Sequence, residues 1–228
     1  MKLVLLPGMD GTGDLFSDFL VHCDVECLVI PLPRSGSQDA ASIAKTIEYR
    51  LPDEDIVVLG ESFSGPVVAE LIKNEHHRII GVVFIASFLS PPNRALLAVA
   101  KLMPIKLLSK MPFSKTAYRY LFFSSNTPAT LLNQFNKVLE SLPQGLLKSR
   151  LSAMQHQKPP AKTYTLPALY IRATNDRLVP KDKAEEFTGY FNNLTIEELD
   201  GPHFILQTRP KEAAQLVNSF LSKVVRTN

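Results

Sequence analysis

The run Asp55-Ile56-Val57-Val58-Leu59-Gly60-Glu61-Ser62-Phe63-Ser64-Gly65 joins an apolar strand to a helix through a serine set among small residues. A sharp strand-to-helix turn lifts a serine hydroxyl clear of its neighbours, as a nucleophile requires. Crowding in that turn demands small residues two positions before and two after the nucleophile. Gly60 meets the first demand, while Ser64 stands where a second glycine is usual and Gly65 follows it. Ser62 therefore reads as the centre of an imperfect G-x-S-x-G elbow, the alternative being a cap on the next helix. Ser64 is the weaker nucleophile, because centring the motif there puts Ser62 and Pro66 in the small-residue positions.

A nucleophilic serine needs a base, and the base needs a group to orient it. Of the five histidines, His22 lies beside Cys23, His76 and His77 sit at a helix end, and His156 lies in a polar stretch before two prolines. His203 differs. Asp200-Gly201-Pro202-His203-Phe204 follows the strand-like Leu194-Thr195-Ile196-Glu197-Glu198-Leu199 and puts the imidazole on a tight loop beyond it. The acid is expected at Asp176, which leaves the strand Leu166–Ala173 through Thr174-Asn175-Asp176-Arg177-Leu178-Val179-Pro180. Its competitors read otherwise: Asp182 suits the first turn of the next helix, and Asp200 shapes the turn before His203.

A tetrahedral intermediate also needs two preorganised N–H donors. Leu3-Val4-Leu5-Leu6 leads into the glycine-rich Pro7-Gly8-Met9-Asp10-Gly11-Thr12-Gly13. The oxyanion hole is expected from the Met9 and Phe63 N–H groups, with Gly8 and Asp10 beside the substrate. Nucleotide binding is disfavoured for the same loop. Gly11-Thr12-Gly13 opens like a dinucleotide fingerprint, but Phe16 takes the third glycine position, no acid ends the second strand and no Gly-Lys-Ser/Thr is present.

The elements that must hold these groups recur along a chain of 228 residues, 45% hydrophobic, a length suited to one domain with a sizeable core. Strand-like runs fall around 2–6, 27–31, 55–60, 79–86, 167–173 and 194–199, with helical segments at 39–50, 65–75, 180–190 and 210–225. Strands apolar on both faces and alternating with helices imply an α/β fold with a parallel sheet covered on both sides. All four expected site elements follow strands at their C-terminal ends, where open α/β sheets place their sites.

Met1–Leu6 is better read as a buried strand than as a signal peptide, and no run approaches a membrane span. Cys23 and Cys27 lack further zinc ligands and form no disulfide framework, so a cytoplasmic location is expected and no metal or cofactor. A net charge of only +3 argues against nucleic acid as a partner.

Residues 88–162 break the alternation with helical patterns alone, including Leu96–Met103, Leu107-Leu108, Tyr118–Phe123 and Leu131–Phe135. They read as a helical cap, with Leu96, Leu97, Phe122, Phe123 and Phe135 lining an apolar acyl pocket. Packing wholly on the core, or lying on a membrane surface, are the other readings. Residues 1–87 and 163–228 then form the core.

The oxyanion loop, the Gly60-Glu61-Ser62-Phe63-Ser64-Gly65 elbow, Asn175-Asp176-Arg177-Leu178-Val179-Pro180 and Gly201-Pro202-His203-Phe204 together resemble the α/β-hydrolase superfamily. The loop and elbow are also similar to those of compact bacterial esterases and of plastid acyltransferases that make phytyl esters. The resemblance implies six strands in the order 2-1-3-4-5-6, lacking the usual two N-terminal strands. It further implies a serine hydrolase cleaving small-molecule acyl esters or thioesters through Ser62, His203 and Asp176. Acyl transfer to an alcohol, or ligand binding without catalysis, are the alternatives.

Overall fold

The computed structural model describes residues 1–73, 78–102 and 113–227. His76, His77, Met103 and Leu107-Leu108 lie outside the described residues. The six strands are β1 (Lys2–Leu6), β2 (Cys27–Val29), β3 (Ile56–Glu61), β4 (Ile79–Ile85), β5 (Ala168–Ala173) and β6 (Leu194–Leu199). They form one sheet in the order β2-β1-β3-β4-β5-β6, every neighbour parallel. Burial follows position. All six residues of central β3 are buried, whereas edge strands β2 and β6 are partly exposed along their length.

β2 is shorter than its apolar run because Pro31 has no N–H for the ladder, although Ile30 still donates to the Leu5 carbonyl at 3.0 Å. One face of the sheet is covered by α2 (Ala40–Glu48) and α3 (Gly65–Lys73), which pack on each other. Asp39 starts α2 by accepting the Ser42 N–H at 2.9 Å. The other face is covered by α1 (Ser17–Leu20) and, at the C-terminus, Pro210–Thr227.

Between β4 and β5 lie α4 (Arg94–Leu102), α5 (Ser114–Leu121), α6 (Ala129–Ser141) and α7 (Leu146–His156). α4 packs on α7, while α5 and α6 meet in a separate aromatic cluster around Tyr118, Phe123 and Phe135. The helix expected over 180–190 is α8 (Lys181–Glu186), continued by a 3-10 turn at Phe187–Gly189. After β6 come the short α9 (Ile205–Thr208) and the C-terminal α10 (Pro210–Thr227).

Candidate active site

Ser62 sits on the turn between β3 and α3 with φ 48°, a left-handed backbone that a non-glycine residue adopts only under constraint. The constraint comes from tight packing and three anchored groups. A Cβ on Gly60 would lie 2.7 Å from Val68 Cγ2 and 2.9 Å from the Ser64 carbonyl oxygen. Ser87 Oγ donates to the Ser62 carbonyl at 2.6 Å, and buried Tyr170 fixes Ser87 by donating to its carbonyl at 2.7 Å and accepting its N–H at 3.0 Å. Ser64, the departure from glycine, is fully buried and donates its hydroxyl to the Pro7 carbonyl. That residue thus ties the elbow to the glycine-rich loop, which a glycine could not do.

Three loops bring Ser62, His203 and Asp176 together. His203 Nε2 lies 2.9 Å from Ser62 Oγ, and Nδ1 lies 2.7 Å from Asp176 Oδ2. With the proton on Nδ1, the ring donates to the carboxylate and accepts the serine hydroxyl. Asp176 is oriented by the Leu178 and Val179 N–H groups, which donate to its Oδ1 at 2.8 and 3.0 Å. Burial disfavours the imidazolium, but the charge and hydrogen bond of Asp176, with the charge of Glu61, outweigh it and hold the His203 pKa above its ordinary value.

The competing groups lie elsewhere. Asp200 is exposed and accepts from Asn175 and Thr174, Asp182 occupies the first turn of α8, and His156 is exposed, its Nδ1 2.8 Å from the Ser152 carbonyl.

Gly8, Met9 and Asp10 lie beside Ser62, in a loop held by a residue that no sequence motif marked. Arg150 of α7 is fully buried and donates to the Met9 carbonyl at 2.7 Å, the Pro33 carbonyl at 2.9 Å and Gln38 Oε1 at 2.9 Å. Burial pulls this guanidinium down to about 10, against the opposing charge of Asp10. Gly11, at φ 71°, is required here, since its Cβ would fall 2.4 Å from Arg150 Nη1. Asp10 braces the same turn, accepting the Thr12 N–H at 2.9 Å and hydroxyl at 2.7 Å. The Phe63 side chain points into the core and lies under the Arg150 guanidinium, 5.8 Å from the ring centre.

Glu61 links the elbow to the glycine-rich loop and to α9. Its buried carboxylate accepts Gln207 Nε2 of α9 at 2.9 Å and the Gly8 N–H. Burial pushes it up to about 7, Asp10 adds to the rise, and Gln207, His203 and Gly8 oppose it. Arg150, Gln207, Ser87 and Tyr170 carried no readable signal, because a buried polar residue declares its partner only in three dimensions.

Above Ser62 and His203 opens a cavity of about 380 Å³, lined mostly by carbon and reaching between α4, α5, α6 and α7. Leu96, Leu97, Phe122 and Phe135 line it, as do Leu121, Leu151 and Met154. Phe123, expected there, is a correction: it is buried outside the lining, stacked on Phe204 at 4.9 Å between ring centres. It follows Phe122 on the same turn, so the two rings point to different sides.

A parallel sheet in this order, with a serine elbow after β3, defines the α/β-hydrolase fold. The enol-lactonase of Burkholderia xenovorans LB400 superposes with TM-score 0.82 at 15% identity, over 97% of this chain and 91% of the lactonase. A thermophilic esterase from Thermogutta terrifontis gives 0.79 at 14% identity, over 98% and 90%. The chain belongs to the Hydrolase_4 family, serine aminopeptidase S33, whose pattern it matches over residues 34–197. A further match is to ethanol acetyltransferase 1 of Wickerhamomyces ciferrii, 31% identical over 71 residues, 31% of this chain and only 18% of the acetyltransferase. Among the described residues, no helix is long and apolar enough to cross a membrane.

Proposed function

We propose that this protein hydrolyses carboxylic esters or thioesters of apolar acids through an acyl-enzyme on Ser62. The observation that carries the reading is the Ser62–His203–Asp176 chain of contacts, at 2.9 and 2.7 Å, opening onto an apolar cavity. Ser62 Oγ attacks the acyl carbon while its proton passes to His203 Nε2. Asp176 keeps the ring in the reactive tautomer and stabilises the imidazolium. The Met9 and Phe63 N–H groups take the oxyanion. As the intermediate collapses, the bond to the leaving group breaks and His203 returns the proton to that group. Water then repeats the sequence and releases the acid.

In this reading residues 88–162 are the cap and hold the acyl chain, with 1–87 and 163–228 as the catalytic core. The free thiols of Cys23 and Cys27 fit a reducing cytoplasm.

The test is turnover of p-nitrophenyl acyl esters by the wild type and Ser62→Ala, with a fluorophosphonate probe alongside. Loss of both turnover and labelling with an unchanged melting temperature is expected; retained turnover would overturn the assignment. Acyl transfer to an alcohol is a second reading, favoured by the match to ethanol acetyltransferase 1. Ethanol added to the assay decides it: ester product means transfer, and acid alone rejects it.

A further inference from the structure

Among the described residues, four of the seven large apolar or aromatic side chains that stand exposed fall on α4 and α5 or at their ends. They are Val99 (58% exposed), Leu102 (85%), Phe113 (74%) and Tyr120 (63%). On α4 the exposed positions Ala95, Ala98, Val99 and Leu102 follow a helical stripe, and Phe113, Thr116, Ala117 and Tyr120 repeat it along α5. Both helices therefore turn one apolar side inward to the cavity and a second apolar side to solvent. Val99 and Phe113 belong to the cavity lining as well, so the exposed face is continuous with the rim above Ser62.

Charge is distributed as unevenly as apolar surface. Between β4 and β5 the sequence has eleven Lys and Arg against one acid, Glu140. The rest of the chain has fourteen Lys and Arg against twenty-one Asp and Glu. The modest net charge of +3 thus conceals a strongly basic segment on an acidic body. The single acid lies on α6 and accepts the Asn136 amide at 2.8 Å. Arg94 and Lys115 are exposed on the two helices, and exposed Arg177 stacks on Tyr120 at 4.0 Å from the ring centre.

We infer that the exposed face of α4 and α5 docks on an anionic lipid surface and that the cavity draws its acyl substrate from there. A bilayer interface takes aromatic and aliphatic side chains at headgroup depth while anionic headgroups pair with Lys and Arg. Charge complementarity selects this occupant over a second copy, since two such basic faces would repel each other. Docking rests on the surface alone; the origin of the substrate rests on the ester-hydrolase reading.

The experiment is sedimentation of the full chain with vesicles of phosphatidylcholine, or of phosphatidylcholine with about one-third phosphatidylglycerol. Binding to the anionic vesicles only is expected, with release at ~1 M salt, where screening shortens to about 3 Å. Arg94→Glu with Lys115→Glu should weaken binding by at least about 10-fold, and Leu102→Ser should weaken it independently of salt. Neither alters hydrolysis of a soluble short-chain p-nitrophenyl ester, because none of the three residues lines the cavity. Anionic vesicles should also raise turnover of a long-chain ester dissolved in them, and Leu102→Ser should remove that gain.

No pelleting, equal binding to neutral vesicles, or indifference to all three substitutions would overturn the docking. So would a dimer in sedimentation velocity that Leu102→Ser dissociates, which would give the face to a second copy. Loss of the ester-hydrolase reading would show separately, as absent Ser62-dependent turnover of the soluble ester.

Discussion

Beneath the cavity the strand ends carry polar groups that are buried and paired, whereas above it α4 to α7 present mostly carbon, part of it turned to solvent. On the floor, Ser64 bonds Pro7, Ser87 bonds the Ser62 carbonyl, and Asp176 accepts two N–H groups besides His203. In the roof, Tyr118, Phe122, Phe123 and Phe135 hold one another by ring contacts 5.0 to 6.3 Å apart. Hydrogen bonds are directional and fix atoms; apolar contacts are not and fix only size and solubility. In the proposed function the floor carries the chemistry and the roof the choice of substrate. Three bonds stitch them together at the three site loops. Arg150 bonds the Met9 carbonyl, the Phe204 N–H bonds the Phe122 carbonyl at 3.2 Å, and Arg177 bonds the Tyr120 carbonyl.

The largest test of that contrast lies on the floor. Asp176→Asn keeps the shape but favours the wrong His203 tautomer, and kcat should fall by about 10⁴-fold with little change in KM. Exposed Asp200→Asn should leave both unchanged. Steady-state kinetics on one short ester suffices, and equal effects would dissolve the assignment of the acid.

Next comes a stitch. Arg150→Met leaves the Met9 and Pro33 carbonyls and Gln38 Oε1 without their donor, which should cost about 3 kcal/mol or more of stability in urea unfolding. Loosening the Met9 peptide should also lower kcat by about 10–100-fold, measured well below the melting temperature. Lost stability with an intact kcat would mean that Arg150 supports the fold without positioning the loop.

In the roof, Leu97→Phe narrows the cavity, so long acyl chains should lose and short ones should not. Each methylene excluded removes up to ~0.8 kcal/mol, about fourfold in kcat/KM. A loss uniform across butyryl, octanoyl and dodecanoyl esters would place Leu97 outside the acyl path.

The smallest effect concerns pH. Ionised Glu61 favours protonated His203, which cannot act as base, so kcat/KM falls as pH drops through the raised His203 pKa. Glu61→Gln removes that charge and lowers the His203 pKa. The acid limb should therefore move to lower pH and lose the contribution of a second group titrating near about 7. An unmoved limb would mean that the two groups do not communicate.

Much of the fold was legible because each strand is an apolar run of its own. β3 is buried at all six positions and reads as such without its neighbours, whereas the apolar run of β2 extends beyond the strand, which stops before Pro31. Ser62, Asp176 and His203 were legible for a related reason. Each follows a strand, so sheet topology alone carries them to one edge, and the structure brings all three within hydrogen-bonding distance. Phe123 was misplaced because adjacent aromatic residues on a helix end look alike in sequence while their rings diverge.

Sequence by itself determined which residues end the strands, since local apolar pattern and turn chemistry are properties of short segments. Only the tertiary structure decided what Ser64, Glu61 and Arg150 do, because their partners Pro7, Gln207 and Met9 lie 57, 146 and 141 residues away. Only there does Arg150 prove to be a buried donor to the glycine-rich loop, its burial imposed by the packing of α7. A buried polar group takes its meaning from the atom it meets, and that meeting is made by packing rather than by sequence neighbours.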